Sequence, residues 1–135
     1  MMLHDDGTYK YSELISQINS LALNIHKRLG NGFQKVIYKR ALALEFNLNN
    51  IPFKREVEMG VFYKKEKIGS RRIDFLIDNK ISIEIITTSQ LEKEQLAQAI
   101  YYLEAYNLKV GLIINFGNKN LEFERLVNKK NQNLS

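Results

Sequence analysis

Residues 110–116, Val-Gly-Leu-Ile-Ile-Asn-Phe, form a nearly unbroken apolar run. It is far too short to cross a membrane and has no helical period. Such a run suits a strand in the interior of a sheet covered on both faces, which requires helices on either side. Residues 81–86, Ile-Ser-Ile-Glu-Ile-Ile, have much the same character but place a carboxylate among isoleucines. These two stretches restrict the chain to a layered α/β architecture.

The remaining periodicities supply the layers. Leu14, Ile18, Leu21, Ala22, Ile25 and Leu29 recur at three- and four-residue steps, predicting a helix over 12–29 with Ser12 as its cap. Gly30-Asn31-Gly32 ends it. A second helix is expected over 33–48, with Phe33, Val36, Ile37, Ala41, Leu44 and Leu48 buried. Asn49-Asn50 and Pro52 then stop it. From Phe53 the pattern alternates as in a strand to Tyr63, turns at 64–67, continues over 68–77, turns at Asp78-Asn79, and resumes over 80–87. Three strands with short turns imply an antiparallel meander. Thr88-Ser89 can cap a helix reaching about residue 106, with Leu91, Leu96, Ala99, Ile100 and Leu103 inward. After residues 110–116, a turn at 117–120 leads to residues 121–127, a short strand or a helical piece.

The resulting order is α-α-β-β-β-α-β-β with a mixed sheet. The domain occupies 12–128, between a flexible lead-in at 1–11 and a flexible tail at 129–135. The 135 residues suffice for one core. With no cysteine, disulfides and thiolate metal sites are excluded. No stretch reads as a signal peptide or a membrane span, which leads us to expect a cytoplasmic protein without a membrane partner. No P-loop or dinucleotide-binding glycine motif is present. Residues 27–80 hold 13 basic and 6 acidic side chains, within a chain of net charge +5. That excess attracts polyanions, although a lysine-rich solvated surface accounts for it equally well.

Asp74 and Glu84 fall on neighbouring strands. A hairpin centred on Asp78-Asn79 sets Asp74 opposite Ile83, beside Glu84, and a shift of one residue would align the two carboxylates. Such a pair can hold a hard divalent ion; simple exposure on an alternating strand is the competing explanation. On the following helix Gln98 and Tyr102 share a face. Arg71 and Arg72 precede Asp74, and by strand parity Arg72 shares its face. His26 has no partner of metal-binding type nearby and reads as structural or exposed.

Several segments, in order, resemble the GxxExxY family, whose domain is similar to the PD-(D/E)xK nuclease superfamily. These are residues 32–38 with Gly32 and Tyr38, the strand piece Arg55-Glu56-Val57, Asp74, Glu84, residues 98–102 as a QxxxY element, and 111–117 as the last core strand. The likeness covers residues 14–128. It implies a restriction-endonuclease-like core, with Mg or Mn between Asp74 and Glu84, Gln98 beside them, and Lys35, Lys39, Arg71, Arg72 and Tyr102 facing nucleic acid. Two positions depart from the pattern. Lys35 stands where the family has glutamate, and Ile86 stands where the superfamily has its catalytic lysine. Removing a positioned electrostatic group of that kind costs about 2.7–4 kcal/mol of transition-state stabilisation.

Three functions follow. The leading one is a degenerate nuclease-fold protein that binds nucleic acid or a partner with little or no cleavage, with Mg or Mn and no metal equally compatible with it. In it Lys35 fills the cation position. The second is an Mg/Mn-dependent DNA or RNA nuclease, with Lys80 or Lys35 supplying the missing charge. The third is a homodimer or protein-interaction module carrying a relict site.

Overall fold

A computed structural model describes residues 11–128; apart from Tyr11, the lead-in and tail expected at the termini lie outside the described residues. The elements are α1 (Ser12–Leu29), α2 (Lys35–Leu48), β1 (Phe53–Tyr63), β2 (Glu66–Ile77), β3 (Ile81–Ile86), α3 (Lys93–Ala105), β4 (Val110–Asn115) and β5 (Glu122–Val127). Their order matches the sequence pattern, and the last element is a strand. The five strands lie in sequence order, with β3 and β4 parallel and every other neighbouring pair antiparallel. The apolar runs at 81–86 and 110–115 are therefore the central strands, covered on both faces.

α1 and α2 cover one face. Ile15, Ile18, Ala22 and Ile25 of α1 join Tyr38, Leu42, Ala43 and Phe46 of α2 against Phe75, Ile83, Ile85, Leu112, Ile114 and Phe116. α3 covers the other, where Tyr102 packs with Met59 and Ile73. Gly111 permits this approach: a Cβ there would lie 2.8 Å from Leu103 Cδ2 and 2.7 Å from Ser82 Oγ.

Three boundaries differ from expectation. Ser12 is the first helical residue and Tyr11 takes the cap position. α2 begins at Lys35, not at residue 33. α3 begins only at Lys93, where Glu92 and Gln95 form a reciprocal capping box in place of Thr88-Ser89.

The buried face of α2 also differs. Phe33, Val36, Leu44 and Leu48 are exposed, while Tyr38, Leu42, Ala43 and Phe46 are buried. Val36 and Tyr38 are roughly 200° apart around a helix, so α2 is turned almost to the opposite side. The cause is Tyr38. Its ring stacks on Phe116 at 4.5 Å, and its hydroxyl donates to Gly30 O (2.6 Å) and accepts from Phe33 N (3.1 Å). One buried side chain thus closes the α1–α2 connection. It also brings Lys35 and Lys39, three residues before it and one after, toward the sheet.

The connection from β3 to α3 is held from outside itself. Asn115, fully buried at the end of β4, accepts from Thr88 N (3.1 Å) and Gly117 N (3.0 Å). It donates to Thr88 O (3.0 Å) and Glu122 Oε1 (2.7 Å). Glu122 in turn accepts from Leu91 N (3.1 Å).

Candidate functional site

Strand alternation breaks at Asp74. Ile73 packs on the α3 face, yet Phe75 packs on the α1–α2 face. On the adjacent strand Val57 pairs Ile73 and Arg55 pairs Phe75, leaving Glu56 opposite Asp74 in a left-handed conformation (φ 52°). On the other side Phe75 faces Ile83, one residue from the expected register, and one further step would set Asp74 against Glu84. The paired ladder stops before that step. Instead the Asp74 side chain reaches across, and its Oδ2 accepts from Ile85 N at 2.6 Å.

Asp74 is 3% exposed, and α2 supplies its counter-charges. Lys35 Nζ lies 3.2 Å from Oδ2 and Lys39 Nζ 3.2 Å from Oδ1. The two lysines are four residues apart, one turn of helix, so they present to the same point. Lys39 also pairs with Glu56. Burial works to lower the Lys39 pKa, but bonds to Glu56 and Asp74 outweigh it and hold the ammonium above its usual range. Asp74 thus has both oxygens engaged by cations.

Glu84 faces α3 and is 5% exposed. Its Oε1 takes Arg71 Nη2 at 3.3 Å, while its buried Oε2 accepts no hydrogen bond from the described residues. Burial, and then repulsion from Asp74, push its pKa up to about 7 against the opposing pull of Arg71, Lys35 and Lys39. A cleft of about 20 Å³, room for about one water, adjoins it between Arg71, Ile86, Gln98 and Ile113. Arg71 also donates to Gln98 Oε1 and lies 5.8 Å from the centre of the Tyr102 ring. Burial raises the Tyr102 phenol pKa. Beyond Arg71 an open groove of about 280 Å³ runs between β1 and α3, lined by Val61, Arg71, Gln98, Tyr101 and Tyr102.

The structure therefore gathers Asp74, Glu84, Lys35, Lys39, Arg71, Gln98 and Tyr102, with Ile86 in the wall. Two expected members lie elsewhere. Lys80 sits at the far end of β3, near Asp78 (3.4 Å) and the Tyr11 ring, about 13 Å along the strand from Glu84. Arg72 is exposed opposite Glu58, because the parity break at Asp74 gives the inward role to Arg71. Glu56 is a member that strand alternation did not reveal; only its positive φ opposite Asp74 marks it. His26 is structural: its Nε2 is 2.9 Å from Asn118 O. Among the described residues no three His, Cys, Asp or Glu side chains form a metal-holding group, and no helix is long and apolar enough to cross a membrane.

Comparison with known proteins adds two findings. A family model described as the PD-(D/E)XK nuclease superfamily matches residues 12–126. The crystal structure of SSO0001 matches with a TM-score of 0.56 over 86% of this chain at 19% identity, a likeness of fold. This chain spans 60% of that one. No curated protein matches.

Proposed function

The chain belongs to the PD-(D/E)XK nuclease superfamily, and from that premise we propose that it binds nucleic acid at its acidic strands without efficient phosphodiester cleavage. The observation that carries this reading is the double ion pair of Asp74 with Lys35 and Lys39. A divalent ion bridging Asp74 and Glu84 would need an Asp74 oxygen, and both already face ammonium groups. The side chains as arranged do not fit that ion. Ile86, in turn, has no group to polarise a water.

These residues can still hold phosphate. Lys35, Lys39 and Arg71 face Asp74, Glu56 and Glu84, and burial of Glu84 favours its neutral form, which weakens the negative side of the site. Lys35, with 40% of its side chain exposed, is the ammonium best placed to meet a backbone oxygen. Within the superfamily we place the chain nearest the GxxExxY proteins, because Gly32 and Tyr38 keep the spacing of that segment and Tyr38 anchors it.

Calorimetric titration with manganese tests the reading. The parent is expected to take up no stoichiometric ion. Lys35→Glu combined with Ile86→Lys is expected to gain about one ion per chain, since it removes the ammonium from Asp74 Oδ2, leaving Lys39 on Oδ1, and adds an oxygen donor. Stoichiometric binding by the parent, lost in Asp74→Ala with Glu84→Ala, would overturn the reading. It would favour the second one, an Mg/Mn-dependent nuclease. The partnerless Glu84 Oε2 supports that alternative, because a buried carboxylate oxygen without a donor suits a cation.

A further inference from the structure

β1 and β2 pair from Phe53–Ile77 out to Tyr63–Glu66, but β3 pairs β2 only at residues 75–77. The outer hairpin therefore stands clear of β3 as an arm. Its tip exposes Phe62 (49%), Tyr63 (61%) and Ile68 (66%) among the exposed lysines Lys64, Lys65 and Lys67.

At the turn, Lys64 and Lys65 form the two-residue connection with φ of 48° and 69°. That conformation favours Asn and Gly, and the other hairpin meets it with Asp78-Asn79 (φ 51° and 56°). The arm instead places two long cations at a strained tip.

The arm is also held in a fixed attitude. Phe62 N donates to Tyr101 Oη (3.1 Å), and Tyr106 Oη donates to Gly60 O (3.0 Å), tying β1 to α3. The groove of Val61, Tyr101, Tyr102, Gln98 and Arg71 lies beneath these ties and ends at the Arg71–Glu84 contact.

We propose that the arm and groove form a track for an unpaired nucleic-acid strand, with a base against Tyr63, which shares the face of Val61 and the groove, and phosphates on Lys64 and Lys65 at the tip, leading to Arg71. This deepens the function proposed above and rests on it. An unpaired strand is the occupant because aromatic platforms need base faces that a duplex keeps stacked, and because the lysines complement a phosphate chain.

The test is fluorescence anisotropy with a labelled oligothymidylate and a matched duplex over a salt series, with sedimentation on anionic lipid vesicles alongside. The parent is expected to prefer the single strand. Tyr63→Ala should weaken it by about fivefold or more. Lys64→Asn with Lys65→Gly should lower the slope of log affinity against log salt by about 1.4, two phosphates at about 0.7 each, without lowering Tm. That last condition separates lost contacts from lost folding. If the parent binds the single strand and both variants match it, the arm proposal falls and the function stands. A parent that binds no nucleic acid removes both. Preference for duplex, or for vesicles over oligonucleotides, overturns the track.

Discussion

Glu84→Gln isolates the buried carboxyl in a way that pH can interrogate. Glu84 titrates near 7 in the fold instead of near 4.5. Its folded pKa is raised, so the native state holds the proton more tightly than the unfolded chain does. The stabilisation this gives is fully present below the unfolded value and is lost as pH rises through about 7. At about 1.36 kcal/mol per pH unit, the interval amounts to about 3 kcal/mol. The amide of the variant would stay neutral at every pH. Urea unfolding at about pH 5, 6, 7 and 8 is the assay. The parent is expected to lose about 2.5 kcal/mol relative to the variant across that series, mostly below about pH 7.5. A difference between the two proteins that stays constant with pH would refute the reasoning, because it would mean that burial does not raise the Glu84 pKa as described.

Lys39→Met is expected to destabilise by about 2–4 kcal/mol, since it strips a cation from a buried carboxylate and from Glu56 together. Lys35→Met, at a more exposed pair, should cost under about 1 kcal/mol; equal costs in urea unfolding would contradict the division of labour. Tyr38→Phe keeps the stacking on Phe116 but removes both hydroxyl bonds at the α1–α2 connection. It should cost about 1–3 kcal/mol, and a change under about 0.5 kcal/mol in Tm-derived stability would show that water replaces them.

The layered fold was legible because its central strands are apolar on both faces, a pattern that few architectures accommodate. Glu84 stood out for a related reason: a carboxylate in such a strand needs a partner. The face of α2 was not legible, because the helix carries apolar residues on two sides. The choice between them lies with one tyrosine whose partner, Phe116, is distant in sequence and comes from the far side of the sheet's central crossover. The contact of Arg71 with Glu84 was hidden because parity assumes an uninterrupted ladder, and the break at Asp74 depends on Glu56 adopting a backbone conformation that no local pattern announces. The start of α3 moved for want of a rule to weigh Thr88-Ser89 against Glu92. The Glu92–Gln95 box satisfies two terminal amides, whereas Thr88 is already held by Asn115.

That last hold separates two kinds of change. The passage from β3 to α3 is held by an amide on β4 and a carboxylate on β5, and of its own exposed residues Ser89 and Gln90 it uses only the Gln90 backbone carbonyl, which accepts from Thr88 Oγ1. Its middle can therefore drift or be exchanged during evolution, and can be rewritten by design, while Glu84 keeps its address. A change at Asn115 would reach the site from the opposite end of the sequence without touching it. For this fold, a conservative-looking loop graft is safe where a single amide substitution is not.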